Sequence, residues 1–198
     1  MNVSLASIVE GKGEVKAVPV LLRRILDQRQ AWHIKVACPF LVSRKKVVKP
    51  GELERAIEQT LRNRENVRAI LVLLDADKDK PEELIPKLLQ RCQKATSLPT
   101  AVVFARKEFE AWFLGAKESL RGLRGIRKDA VAPDDPETIQ GAKERLSENM
   151  IPGRGYIETD DQPAFAAVFD LEKAQARCRS FNKFLREVER LVAEMQND

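Results

Sequence analysis

Apolar residues in this chain occur in two kinds of run, and their alternation predicts its elements. Four short apolar segments read as strands: SLASIVE, HIKVACPFLV, VRAILVLLDAD and TAVVFA. The third is almost continuously apolar, as befits a strand covered on both faces, whereas Ile34, Val36 and Cys38 alternate along the second as on a half-buried one. Helical spacing fills the intervals. Val15, Val18, Leu22 and Ile25 repeat at that spacing, with Pro19 in a first turn or at a kink. PGELERAIEQTLRNREN is a charged amphipathic helix that starts near Pro50 and Gly51. In DKPEELIPKLLQRCQKA, Asp79 is placed as N-cap, Pro81 just inside, and Glu82 and Glu83 in the first turn. EFEAWFLGAKESLRGL follows the fourth strand as a helix with Phe109, Trp112 and Phe113 on its apolar side. Four strand-helix repeats predict an α/β fold, a four-stranded mostly parallel sheet flanked by helices, for which second, first, third, fourth is a common spatial order.

Beyond about Gly122 the pattern changes. RGLRGIRKDAVAPDDPETIQ is polar and rich in Gly and Pro, as a linker or lid would be. PETIQGAKERLSENM reads as a helix, IPGRGYIETDDQP as a loop, and the last segment as helices whose core stripe is Phe181, Phe184, Leu185, Val188, Leu191 and Val192. The organisation expected is an α/β domain over 1–120, with 121–198 supplying a linker or lid and a C-terminal helical extension packed on the same domain.

Composition narrows the class without fixing the chemistry. With 43% hydrophobic and 33% charged residues, the 198-residue chain should form one globular domain. No apolar run approaches the ~20 residues of a membrane span, and the start lacks the charged, apolar and small-residue succession of a signal peptide, so a cytoplasmic protein without membrane contact is expected. Cys38, Cys92 and Cys178 form no CxxC pair and read as buried free thiols. The net charge of +5 is gathered into SRKKVVK, RGLRGIRK and AKER, which favours a phosphate-rich partner, nucleic acid above all.

Acids at the strand ends carry the candidate chemistry. In parallel sheets the carboxyl ends of the strands share one edge, and ligands bind where strand order reverses. Here the first strand ends in Glu10-Gly11, the third in Asp75-Ala76-Asp77, and the fourth runs into Arg106-Lys107-Glu108-Phe109-Glu110. If the first and third strands are neighbours, Glu10 faces Asp75 and Asp77. Such carboxylates suit Mg²⁺ or Mn²⁺, which take oxygen ligands and activate bound water, and the chemistry suggested is phosphodiester cleavage or transfer. Gly11 and Gly13 would let a ligand approach the chain. Lys12, Lys16 and Arg106 are the candidate phosphate contacts.

Blander readings stand beside these. Asp79 suits an N-cap, Asp77 an Asx turn, and Glu108 and Glu110 the first turn of a helix. His33, the single histidine, reads as an exposed side chain on the second strand, and Tyr156 lies in a loop with no motif around it. VEGKGEVK lacks P-loop spacing, and a receiver domain would need an acidic pair where Glu10-Gly11 stands.

Taken together, SIVEGKGEVKAVPVLLRRIL, ILVLLDADKD and FARKEFEAWFL resemble the Rossmann-like Toprim domain of topoisomerases, bacterial primases, RNA-maturation nucleases and OLD-family nucleases, most closely a bacterial family of uncharacterised Toprim-like proteins, some near phage-defence genes. The resemblance implies Glu10 as general acid/base or metal ligand, Asp75 and Asp77 as Mg²⁺ ligands, and Glu108 or Glu110 as a further ligand or its support. It also implies a protein partner such as an ATPase encoded nearby, since the chain carries no ATPase module. A metal-dependent nuclease is the function expected; the alternative is a catalytically inactive Toprim-fold module that binds nucleic acid or a protein partner.

Overall fold

The computed structural model describes residues 3–197 and begins with β1 (Val3–Val9) and α1 (Lys12–Gln28). Next come β2 (Ile34–Val36), β3 (Phe40–Leu41), α2 (Arg44–Val47) and α3 (Glu52–Asn63). The chain continues through β4 (Val67–Asp75), α4 (Pro81–Ala95), β5 (Thr100–Ala105) and α5 (Ala111–Gly115). After 3-10 turns at Lys117–Leu120 and Pro136–Thr138 come α6 (Ala142–Glu148), α7 (Glu158–Ala166), α8 (Leu171–Arg177) and α9 (Arg179–Asn197).

All strand pairs are parallel, in the order β2-β1-β4-β5, with β3 also on β1. This is the common order of such a sheet, with the second strand divided in two. Pro39, which cannot donate to a ladder, lies between the two pieces. The register pairs Val9 with Leu73 and Asp75 with Ala105, so the acids following β1 and ending β4 emerge at one edge.

Period-two alternation sends the strand side chains into two cores. Leu5, Val9, Leu71, Leu73, Ala101 and Val103 face α1 and the C-terminal helices; Ile8, Ile70, Val72, Leu74 and Phe104 face α3 and α4. The first core is filled by seven fully buried aromatics: Phe109, Trp112 and Phe113 from around α5, and Phe165, Phe169, Phe181 and Phe184 from the tail. Trp112 lies 5.0 Å from both Phe181 and Phe184, ring centroid to ring centroid, and its Nε1 donates to Ser180 Oγ at 2.8 Å.

Several local expectations need correction. The stretch read as a loop around Tyr156 contains α7, whose interior Pro163 breaks the periodic signal. Pro19 lies deep in α1, not in its first turn. The helix expected after β5 is only α5 followed by a 3-10 turn. Lys80, not Asp79, precedes the first residue of α4, and Asp79 instead pairs with Arg44. Cys38 is exposed, unlike Cys92 and Cys178, and His33 sits in the exposed turn before β2. Among the described residues no helix is long and apolar enough to cross a membrane.

Candidate active site at the carboxyl edge of the sheet

Two hydrogen bonds tie three strand ends together. Glu10 Oε1 accepts from the backbone N–H of Asp75 at 2.7 Å, and Asp75 Oδ1 accepts from the backbone N–H of Phe109 at 2.8 Å. The end of β1 thus holds the end of β4, which holds the loop after β5. Glu110 is fully buried beyond Phe109, and its Oε1 accepts from Tyr156 Oη at 3.0 Å and Gln162 Nε2 at 3.1 Å. Glu14, in the first turn of α1, is also buried. Its carboxylate folds back over Gly11, where an added Cβ would stand 2.0 Å from Glu14 Oε2. The glycine therefore makes room for the protein's own acid and not, as the sequence suggested, for a ligand.

Glu10, Glu14, Asp75 and Glu110 consequently share one desolvated corner. Burial is the main cause that raises all four above the ordinary carboxylate range. Glu10 and Glu110 are each pushed up to about 7, and Asp75 is held well above its usual value, with the charges of Glu110, Glu14 and Glu10 adding to burial. The compensating cation is Lys143, whose Nζ stands 2.7 Å from Glu158 Oε2 and 4.0 Å from Glu110 Oε1. Above Glu10, Glu14 and Asp75 opens a basin of about 690 Å³, also lined by Arg44, Asp77 and Glu108.

The other candidates are placed as follows. Asp77 has a left-handed backbone (φ 48°), and its N–H donates to the carbonyl of Lys107, itself at φ 67°; Asp77 lies on the basin and Lys107 on the neighbouring cleft. Glu108 accepts from the backbone N–H groups of Gly141, Ala142 and Lys143 at 3.0, 3.3 and 3.4 Å, so its carboxylate caps α6. Lys12 lines a cleft that adjoins Glu10. Lys16 Nζ donates to the Thr159 carbonyl at 3.2 Å, which binds α1 to α7. Arg106 lines a separate cleft of about 430 Å³ with Lys107, Arg179 and Lys183.

Sequence reasoning missed Glu14, Arg44, Lys143, Tyr156 and Glu158. Glu14 was masked by its place in a helix first turn, where acids are common, and the tail residues gave no signal, since only tertiary packing returns them to this edge.

The donor chemistry fits a hard cation. Glu10 Oε2, Glu14 Oε2 and Glu110 Oε2 are all buried without a hydrogen-bond partner. As the side chains stand, however, no group of three or more His, Cys, Asp or Glu among the described residues is arranged to hold a metal ion. Two of the carboxylates are turned to backbone donors instead, as the bonds from Asp75 and Phe109 show.

A family model described as a domain of unknown function, DUF4276, matches residues 9–189. A search among curated proteins finds no match. Among solved structures, the C-terminal region of the Xanthomonas campestris pv. campestris OLD protein is similar at 15% identity over 98% of each chain, with a TM-score of 0.43. A likeness of that size bears on neither mechanism nor substrate.

Proposed function

Because the chain belongs to the DUF4276 family, whose function is unknown, its activity has to be read from its own residues, and we propose a divalent-metal-dependent phosphodiester hydrolase acting on nucleic acid through a Toprim-like domain. One observation supports this above all: three unpartnered carboxylate oxygens buried around Asp75. A desolvated carboxylate without a donor is costly until a proton or a cation joins it. Glu14, Asp75, Asp77 and Glu110 are the residues that would hold Mg²⁺ or Mn²⁺, beside Glu10. Such an ion, when bound, polarises a phosphoryl oxygen and lowers the pKa of water.

The side chains supply the rest. Glu10, pushed up to about 7, can take a proton from an attacking water at Oε2 near neutral pH. Asp75 is fixed by its bond from the Phe109 N–H and orients the acids around it. Lys143, held cationic by Glu110 and Glu158, offsets charge that would otherwise repel a phosphodiester. Arg106, Lys107, Arg179 and Lys183 form no ion pair with a described residue and offer positive charge to flanking phosphates in the adjoining cleft.

The test is cleavage of labelled DNA and RNA with Mg²⁺ or Mn²⁺, beside Glu10→Gln and Asp75→Asn. Each substitution is expected to lower the rate by about 10²-fold or more; equal residual rates in all three proteins would end the proposal. The non-enzymatic alternative is favoured by the carboxylates turned to backbone donors. It predicts no cleavage and no change in melting temperature on adding either cation.

A further inference from the structure

Three cations line the acid basin, Arg44, Lys45 and Lys143, and Lys143 is paired with Glu158. Arg44 is the least exposed of the three. The backbone N–H of Val42 donates to the carbonyl of Val9 at 2.9 Å, so β3 ends beside β1 and delivers α2 to the rim of the basin. The Arg44 side chain is only 14% exposed, and its guanidinium lies 5.0 Å from the centroid of the Phe104 ring. Nη2 is paired with Asp79, but Nε and Nη1 are both buried without an acceptor.

Two unsatisfied donors on one guanidinium are unusual in a native interior, because each forgoes the hydrogen bond that would offset its desolvation. No acceptor in the structure meets either one, although Glu10 Oε2 and Glu14 Oε2 lie on the same basin. Glu10 Oε1 is committed to the Asp75 N–H, and Asp79 already meets Nη2. A planar fork with donors to spare matches the oxygens of a phosphoryl group, and its position on the basin wall brings it alongside Glu10, Asp75 and Asp77.

We infer that Arg44 binds a non-bridging oxygen of a phosphodiester lying in the acid basin, and that Asp79 holds the guanidinium until substrate displaces it. The assignment rests on the phosphodiester reading above, but it concerns binding and can be tested apart from turnover. Asp79 is about half exposed, so its ion pair with Arg44 is screened and readily exchanged for a polyanion. Arg44 is then a substrate-contacting residue, and Asp79 a positioning residue that acts through it.

The experiment is fluorescence anisotropy of labelled DNA and RNA oligonucleotides in EDTA at low salt. Arg44→Gln is expected to weaken binding roughly tenfold or more and to lower the slope of log K against log salt by about one contact. Arg44→Lys should restore the slope but not the full affinity, since an ammonium keeps the charge without the fork. Asp79→Asn should tighten binding severalfold in the wild-type background and have no effect in Arg44→Gln, which separates release of Arg44 from simple loss of a negative charge. Wild-type affinity in Arg44→Gln, a gain from Asp79→Asn that persists without Arg44, or no binding by wild-type protein at low salt would each overturn the inference. Binding that follows this pattern without any cleavage in Mg²⁺ or Mn²⁺ would remove the hydrolase reading and leave the anion site. Cleavage indifferent to Arg44 would do the reverse.

Discussion

At the scale of single residues, the acid corner links stability to pH in a direction opposite to the usual one. Paired surface carboxylates have depressed pKa values and stabilise a protein as pH rises. Glu10 and Glu110, by contrast, move from 4.5 in the unfolded chain to about 7 in the folded one, so the native state binds more protons across that window. Stability contributed by the neutral forms is fully present below about 4.5 and is lost as pH rises through about 7. Metal-free protein should therefore melt at a lower temperature at pH 8 than at pH 5.5, and Mg²⁺ or Mn²⁺ should recover the difference at pH 8; scanning calorimetry checks both. Glu14→Gln removes one desolvated charge that has no donor on Oε2, so it should raise the melting temperature, and more at pH 8 than at lower pH, where the raised carboxyl is increasingly neutral. The same variant should show a smaller shift on adding cation. Glu10, Asp75 and Asp77 were legible because an acid directly after an apolar run adds nothing to the packing that the run predicts. Glu14 hid inside a helix, where acids in a first turn are commonplace.

At the scale of elements, α7 does what no motif announced. It lies along α1, with Glu158 Oε1 accepting from the Gly13 N–H at 3.1 Å and Gln162 reaching past Gly13 to Glu110. Asp161, fully buried, receives Arg124 and Arg154 and accepts from the Ile157 N–H at 2.7 Å, which fixes the start of the helix. A Cβ on Gly13 would meet Gln162 Oε1 at 2.3 Å and Glu158 Cγ at 2.6 Å. Gly13→Ala should thus push α7 from α1 and cost about 1–3 kcal/mol, read as a lower denaturant midpoint at unchanged slope. If Gln162 helps to position Glu110, cleavage should fall by more than the small unfolded fraction accounts for. The pattern of apolar residues showed α1 plainly, since one face of it is buried along its length. It could not show α7, a nine-residue helix with three acids in its first turn and a proline inside.

At the scale of the whole molecule, the boundary drawn near residue 120 separates motifs but not cores. Phe109, Trp112 and Phe113 precede it; Phe165, Phe169, Phe181 and Phe184 follow it, and all seven are fully buried in one cluster. The stripe on α9 was legible from its spacing. Its target was not, because nothing local says that Trp112 packs on Phe181 and Phe184, or that Trp112 Nε1 and the Arg106 N–H both donate to Ser180. Full burial of one such side chain contributes roughly 1.5–3 kcal/mol, so uncovering three of them would remove about 4.5–9 kcal/mol, comparable to a net stability of about 5–15 kcal/mol. A fragment of residues 1–120 retains every motif residue first read from the sequence, yet it loses Lys143, Glu158, Tyr156 and the cover of its aromatic face. It should keep far-ultraviolet dichroism, lose near-ultraviolet dichroism and cooperative melting, and bind an apolar dye. Adding residues 121–198 in trans should restore near-ultraviolet dichroism if the shared aromatic core is what makes the molecule one unit; a fragment that melts cooperatively alone would show that the sheet and its acids form a self-sufficient domain.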